Sequence, residues 1–175
     1  MTVEAIHYAQ VCWLAERKIN MKLIPVIFFL SLTLYAKAQQ TDTLKYCVRD
    51  DLVGVGGYDP VSYFKSKKPV LGNDKIHLTH DGVKYKFASN ENKKLFSSRP
   101  EAYLPQFGGW CSMTLVMGRA TRPVYENFLI SEGRLYLFER TLSVNGKELW
   151  LNNPIVNEKI AIKNYTSYKD TGKIQ

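Results

Sequence analysis

Residues 75–87 read KIHLTHDGVKYKF and carry the clearest structural signal in the chain. Apolar and polar residues alternate on both sides of Asp81-Gly82, which is the pattern of two strands that each turn one face toward a core. Asp-Gly between two such runs favours a two-residue hairpin turn. We therefore predict a β-hairpin in which residues 75–80 pair with residues 83–87.

Two short helices are predicted around this hairpin. On its N-terminal side, Asp59 is a favourable N-cap and Pro60 suits the first helical position, which predicts a helix over residues 60–64. On its C-terminal side, Ser89 can cap a helix over residues 90–97. We assign Asp59 to this capping role in preference to acid–base chemistry.

A second hairpin is predicted further along the chain. Residues 128–130 and 135–138 are apolar runs that flank a Glu132-Gly133 turn. Between the two hairpins, residues 112–118 fit a helix or a strand equally well. No internal repeat is visible in the sequence.

The C-terminal part of the chain is predicted to be helical. Residues 142–163 indicate one or two helices broken near Pro154, and the tail 164–175 is expected to fray. The expected fold is therefore a small single α+β domain. Its two β-hairpins form an antiparallel sheet, and short helices pack on that sheet.

The N-terminal segment has the features of a targeting signal. In residues 21–38, Lys22 provides a positive charge and residues 23–35 form an apolar run that is shorter than the roughly 20 residues of a membrane-spanning helix. We predict a signal peptide over residues 21–38, and we interpret residues 1–20 as an upstream extension outside the fold. An uncleaved anchor is the alternative. The predicted cleavage site is defined by Ala36, Ala38 and Gln39.

Export to the periplasm or the exterior, without stable membrane insertion after cleavage, is therefore expected. The net charge is +8, but the lysines occur in short pairs beside turn residues, which indicates a solvated surface and no nucleic-acid binding. Cleavage leaves two cysteines, Cys47 and Cys111, which are too few for a disulfide scaffold or a four-thiolate zinc site. A disulfide between these two residues stays open.

Larger blocks of the sequence form a recognisable pattern: GYDPVSYF at 57–64, HDGVKYKFASNENKKLF at 80–96, RPEAYLPQFGGWC at 99–111 and EGRLYLF at 132–138. In this order they resemble the exported bacterial YHS-domain proteins. The resemblance covers about residues 56–151. Residues 39–55, which begin with a polar stretch, are expected to form a lead-in, and the resemblance implies a YHS-type domain over residues 56–163, related to metal-handling YHS and TRASH-like modules. Those modules use several closely spaced cysteines, whereas the matching region here contains only Cys111.

Cys111 is the first candidate site residue. It follows Gly108-Gly109, which we expect to present the thiol at a bend, either as a soft-metal ligand or as a nucleophile. A buried structural cysteine is the alternative. Met113 and Met117 would share a face with Cys111 on a strand, although not on a helix, and the three sulfur atoms would suit copper or another soft transition metal. His77 is a further candidate ligand.

Aromatic residues of the matched blocks are predicted to line a ligand pocket around Cys111, although core packing is the alternative. They are Tyr58, Tyr63, Tyr85, Tyr103, Phe107 and Trp110. The predicted function is an exported binding module for a soft metal ion, a small molecule or a periplasmic protein. A thiol-dependent enzyme that uses Cys111 and an interaction domain without chemistry remain the alternatives.

Overall fold

The computed structural model describes residues 44–174. The predictions for the upstream extension, the signal peptide, its cleavage site and the first part of the lead-in lie outside the described residues. Within residues 44–174, no helix combines the length and apolar character needed to cross a membrane.

The first half of the domain contains the hairpin predicted above. A glycine-rich turn at Gly54–Gly57 leads to helix α1 (Ser62–Lys65). Strands β1 (Asn73–His80) and β2 (Val83–Phe87) then pair in antiparallel fashion, and helix α2 (Asn90–Ser98) follows. The predicted hairpin and the predicted helix after Ser89 are both confirmed.

The second half begins with another glycine-rich turn at Gln106–Gly109. Helix α3 (Ser112–Val116) follows, so the ambiguous segment is a helix. Strands β3 (Val124–Ser131) and β4 (Arg134–Phe138) form the second predicted hairpin, which is also confirmed. Helix α4 (Gly146–Leu151) comes next.

The α+β class is confirmed, but the hairpins form two separate two-stranded sheets. At one outer edge of each hairpin, the single residue that directly precedes the glycine-rich turn pairs with the strand. Val53 forms a parallel bridge with Lys84 in β2, and Pro105 forms one with Leu135 in β4. These bridges lie on the β2 and β4 edges, so one edge of each hairpin is already paired in part within its own half.

Both ends of the described chain are more ordered than predicted. Helix α5 (Pro154–Thr171) continues through the tail that was expected to fray, because the buried Asn164 donates its Nδ2 hydrogen to Leu115 O at 2.7 Å. The break near Pro154 is confirmed, since α5 starts there. Within the predicted lead-in, residues 46–48 are buried.

The two halves share one local plan. Each glycine-rich turn contains three successive residues with positive φ, at 52°, 58° and 86° over residues 55–57 and at 57°, 60° and 90° over residues 107–109. Each first strand has a bulge at the matching place, between Asn73 and His77 in β1 and between Val124 and Phe128 in β3. The local structure therefore repeats, although no repeat is visible in the sequence.

Aromatic packing repeats as well. In the first half, the ring of Phe96 from α2 lies 5.0 Å and 5.2 Å from the rings of Tyr85 and Phe87. In the second half, the ring of Trp150 from α4 lies 5.3 Å and 5.7 Å from two matching rings, those of Tyr136 and Phe138. Only a few residue types recur at matching positions, so the repeat is hard to see in the sequence.

Candidate functional site

Cys111 directly precedes α3 and has 0% of its surface exposed. Its Sγ accepts the backbone N–H of Thr114 at 3.4 Å and that of Glu139 at 3.1 Å. The thiol therefore caps α3 and fastens it to the residue that follows β4. The expectation of a presented thiol is wrong, because the backbone of two elements encloses the sulfur atom.

Asp59 holds the matching place in the first half and is also 0% exposed. Its Oδ1 accepts the N–H of Val61 at 2.9 Å, just before α1. Its Oδ2 accepts the N–H of Ala88 at 2.9 Å and the Nδ2 hydrogen of Asn92 at 2.7 Å. A carboxylate in one half and a thiol in the other thus join the start of a helix to the end of a hairpin.

Cys47 is 3% exposed. Burial raises the pKa of Cys47 to about 11. At neutral pH it is a protonated thiol and a poor nucleophile. Cys47 and Cys111 are both free thiols in the structure, so the disulfide left open above is not formed.

The two methionines line one cavity of about 270 Å³ beside Cys111. Met113 lies in α3, and Met117 follows its last residue. Residues four apart on a helix share a face, so these two side chains stay together although Cys111 points elsewhere. The predicted three-sulfur cluster is wrong, because it required a strand, but its methionine pair survives.

A chain of hydroxyl groups runs along the polar wall of this cavity. Thr114 Oγ1 and Thr121 Oγ1 lie 2.9 Å apart, and Thr121 Oγ1 donates to Glu139 Oε2 at 2.9 Å. The chain holds one oxygen of the Glu139 carboxylate in place. Arg119 lines the same cavity, so a cation faces the carboxylate.

The cavity exists because the halves differ between the second strand and the next helix. In the first half only Ala88 and Ser89 separate β2 from α2, whereas residues 139–145 separate β4 from α4. In the first half, Lys65 Nζ donates to Glu91 Oε1 at 2.9 Å and to Asn92 Oδ1 at 3.4 Å, which bridges α1 to α2. In the second half Met117 replaces that lysine, and the longer connection leaves a space.

His77 does not join a site with Cys111. It is exposed on β1, and its Nδ1 lies 2.8 Å from Asp74 O, whereas Cys111 is fully buried in the second half. Within residues 44–174, no group of three or more His, Cys, Asp and Glu side chains could hold a metal ion. The prediction of His77 as a ligand beside Cys111 is therefore wrong.

The six aromatic residues do not surround Cys111 either. They divide between two core clusters, with Tyr58, Tyr63, Tyr85 and Tyr103 in the first and Phe107 and Trp110 in the second. None of them lines the cavity beside Cys111. The predicted aromatic pocket is wrong, and core packing is their role.

The polar residues of the cavity were missed by the sequence analysis. Thr114 lies in the segment 112–118, which fitted two structures, and Arg119 and Thr121 follow it in a stretch for which no element was predicted, so the directions of their side chains could not be assigned. Glu139 offered one usable signal, its position directly after a predicted strand.

Comparisons with protein-family models, with curated proteins and with solved structures find no match for this chain.

Proposed function

We propose that this chain is an exported binding module of the YHS type, and that it binds a soft monovalent metal ion, Cu(I), in the cavity beside Cys111. The observation that carries the proposal is the presence of Met113 and Met117 in the wall of one cavity. Thioethers are soft ligands that favour Cu(I) over the hard cations. The motif resemblance described above supports the family, whereas the metal site proposed here rests on two methionines and not on the closely spaced cysteines of the metal-handling modules.

The remaining groups of the cavity fit a bound cation in part. The Glu139 carboxylate supplies negative charge and a third ligand atom, and Thr121 fixes its orientation. Arg119 opposes a cation, so its charge lowers the affinity of the site. Cys111 contributes no ligand under this proposal, because its sulfur accepts two backbone N–H groups and does not line the cavity.

A small apolar carboxylic acid is the second candidate ligand. It is favoured by Arg119, whose guanidinium group suits a carboxylate. Met117, Val144 and Leu149 would then contact the apolar part of the molecule. The two candidates require opposite contributions from Arg119.

The test is an anaerobic titration of the purified exported protein with Cu(I) against a competing chromogenic chelator, with Ag(I) as an air-stable substitute. Replacing both methionines (Met113→Leu with Met117→Leu) removes both thioethers at similar volume, and we expect the affinity to fall at least about tenfold. Arg119→Gln should raise it, because a repelling charge is removed. Cys111→Ser is the control and should bind as the wild type does.

Unchanged Cu(I) affinity in the double methionine variant would contradict the metal proposal. If folded Cys111→Ser protein does not bind Cu(I), the Cys111 thiol is a ligand of the metal ion, which contradicts the site as proposed. If Arg119→Gln abolishes binding of butyrate while the methionine variant still binds it, the carboxylic acid is the ligand.

Export is tested separately. The N-terminal sequence of the protein recovered outside the cytoplasm should begin at Gln39 or within a residue or two. Recovery of the full-length chain from the cytoplasm alone would contradict export.

A further inference from the structure

A second cavity, of about 310 Å³, lies in the first half of the domain. It opens in front of the glycine-rich turn, so that Gly56 and Gly57 form part of its wall. Arg49, Lys86 and Tyr125 also line it. None of these residues belongs to the cavity beside Cys111.

The second half shows what covers the matching turn there. Main chain lies directly against it, since Cys47 N donates to Gly108 O at 2.9 Å. A Cβ built on Gly108 would lie 1.8 Å from Lys45 O, so this approach requires glycine. The second turn is therefore closed by the chain itself.

The first turn is covered by side chains instead. A Cβ on Gly56 would lie 2.2 Å from the ring of Tyr125, so this ring takes the place that the carbonyl of Lys45 occupies in the other half. A Cβ on Gly57 would meet only Val53 and the aliphatic stem of Lys86, at 3.8 Å and 4.0 Å. The remaining space is the cavity.

Two cationic side chains, those of Arg49 and Lys86, line this space. Arg49 is exposed at its rim, and the side chain of Lys86 is only 19% exposed. Lys86 Nζ pairs with Asp74 Oδ1 at 2.6 Å, but the Asp74 side chain is 77% exposed, and an ion pair at so open a position is weak. Arg122 does not line the cavity, and its Nη2 donates to Val48 O at 3.2 Å.

One acidic residue, Asp51, also lines the cavity. Its Oδ1 accepts the N–H of Val53 at 3.2 Å, so its carboxylate stabilises the backbone just before Gly54. Tyr125 provides a neutral wall, because burial raises its pKa to about 12. Arg49 and Lys86 are thus the cationic groups that line the cavity, and Asp51 opposes them.

We propose that this cavity binds a small oxyanion, a phosphate or a carboxylate group, between Arg49 and Lys86. The guanidinium fork of Arg49 matches two oxygen atoms of such a group, and the Lys86 ammonium supplies a second charge. Bare glycine backbone at residues 56 and 57 leaves room for the anion. The site is independent of the cavity beside Cys111 and does not rest on the metal proposal.

The test is a calorimetric titration of the full protein with inorganic phosphate and, separately, with malonate, at fixed low ionic strength. Arg49→Gln should weaken binding about tenfold or more, since a hydrogen bond to a charged group is lost. Lys86→Gln should act in the same direction. Asp51→Asn should strengthen binding severalfold, because it removes a negative charge while the amide oxygen can still accept the N–H of Val53.

Arg99→Gln is the matched control, because Arg99 is exposed at the end of α2 and does not line the cavity. It should leave binding unchanged. Equal weakening by Arg49→Gln and Arg99→Gln would show general charge attraction and overturn the proposal. So would the absence of binding for both anions at millimolar concentration, or weaker binding in Asp51→Asn. A preference for one anion identifies the source of the oxyanion within the proposal.

Discussion

The two halves of the domain use different side chains, a carboxylate and a thiol, for the same structural role. Asp59 and Cys111 follow equivalent glycine-rich turns, and each joins a helix start to a hairpin end. The carboxylate accepts three hydrogen bonds at 2.7–2.9 Å, whereas the thiol accepts two at 3.1 Å and 3.4 Å. The position therefore requires a buried acceptor, and a cysteine found there need not be reactive.

The same comparison locates both cavities. Where the two halves agree, the space is filled, as with the rings of Phe96 and Trp150. One cavity opens at the longer connection over residues 139–145, which the first half lacks. The other opens at the first glycine-rich turn, which main chain does not cover. Departures from the repeat are therefore the places at which we propose ligands.

Truncation of the matching rings should give the largest effect. Phe96→Ala and Trp150→Ala each remove a buried aromatic side chain, and each should lower the free energy of unfolding by about 3–5 kcal/mol. Denaturant unfolding at equilibrium measures both losses. Leu142→Ala is the control, since this side chain is fully exposed and should change little. A loss in one half only would show that the halves are not equivalent in stability.

Removal of the two acceptors should separate the halves. Asp59→Ala leaves three buried donors unpaired and should cost about 3 kcal/mol, whereas Cys111→Ala leaves two with weaker bonds and should cost about 1–2 kcal/mol. Cys111→Ser retains an acceptor and should cost less than Cys111→Ala. Equal losses for the two alanine variants, again measured by denaturant unfolding, would contradict the proposed difference in bond strength.

Local structure could be predicted where a few neighbouring residues decide it. Asp81-Gly82 specifies its hairpin, and Ser89 caps α2 by accepting the N–H of Asn92 at 3.1 Å. The burial and hydrogen bonding of the Cys111 thiol could not be predicted. Its second hydrogen-bond donor, the backbone N–H of Glu139, lies far along the chain and is brought to the sulfur atom only by the tertiary fold.

The glycines before Cys111 show the same limit. Their lack of side chains correctly indicates a close approach, but the approaching group is the carbonyl of Lys45 and not a ligand of the thiol. Likewise, the tail is ordered because Asn164 finds a carbonyl in α3. In each case the residue type indicates which kind of contact is needed, a close backbone approach for glycine and a hydrogen-bond partner for asparagine. The group that makes the contact is brought there by the tertiary structure.

Alkaline pH should test the segment that closes the second turn. The pKa of Cys47 is raised to about 11 in the folded protein by burial, so the unfolded chain loses this proton first as the pH rises above about 9. Stability is therefore complete below pH 9 and should fall by about 2 kcal/mol as the pH approaches 11. Unfolding measured at pH 8 and pH 10.5 should show a steeper loss for the wild type than for Cys47→Ala. Equal pH dependence would contradict this, since the tyrosines titrate in both proteins.

The smallest effect should come from the hairpin turns. Gly82 and Gly133 have φ values of 77° and 71°, a backbone conformation that residues other than glycine, asparagine and aspartate resist. A Cβ on Gly133 would meet nothing within 4 Å, so Gly133→Ala introduces no steric clash. The substitution therefore changes stability only through the positive φ that alanine must adopt. We expect a loss of about 1 kcal/mol, and a similar loss for Gly82→Ala.

Substitution by asparagine supplies the control for this last test. Asparagine tolerates positive φ, so Gly133→Asn should recover most of the stability that Gly133→Ala loses. Gly82→Val should cost more than Gly82→Ala, because a β-branched side chain resists positive φ further. Melting temperatures of these variants, compared pairwise, measure the differences. If the alanine variant of one turn is neutral while the other is destabilised, the hairpins differ in turn strain and the repeat does not extend to them.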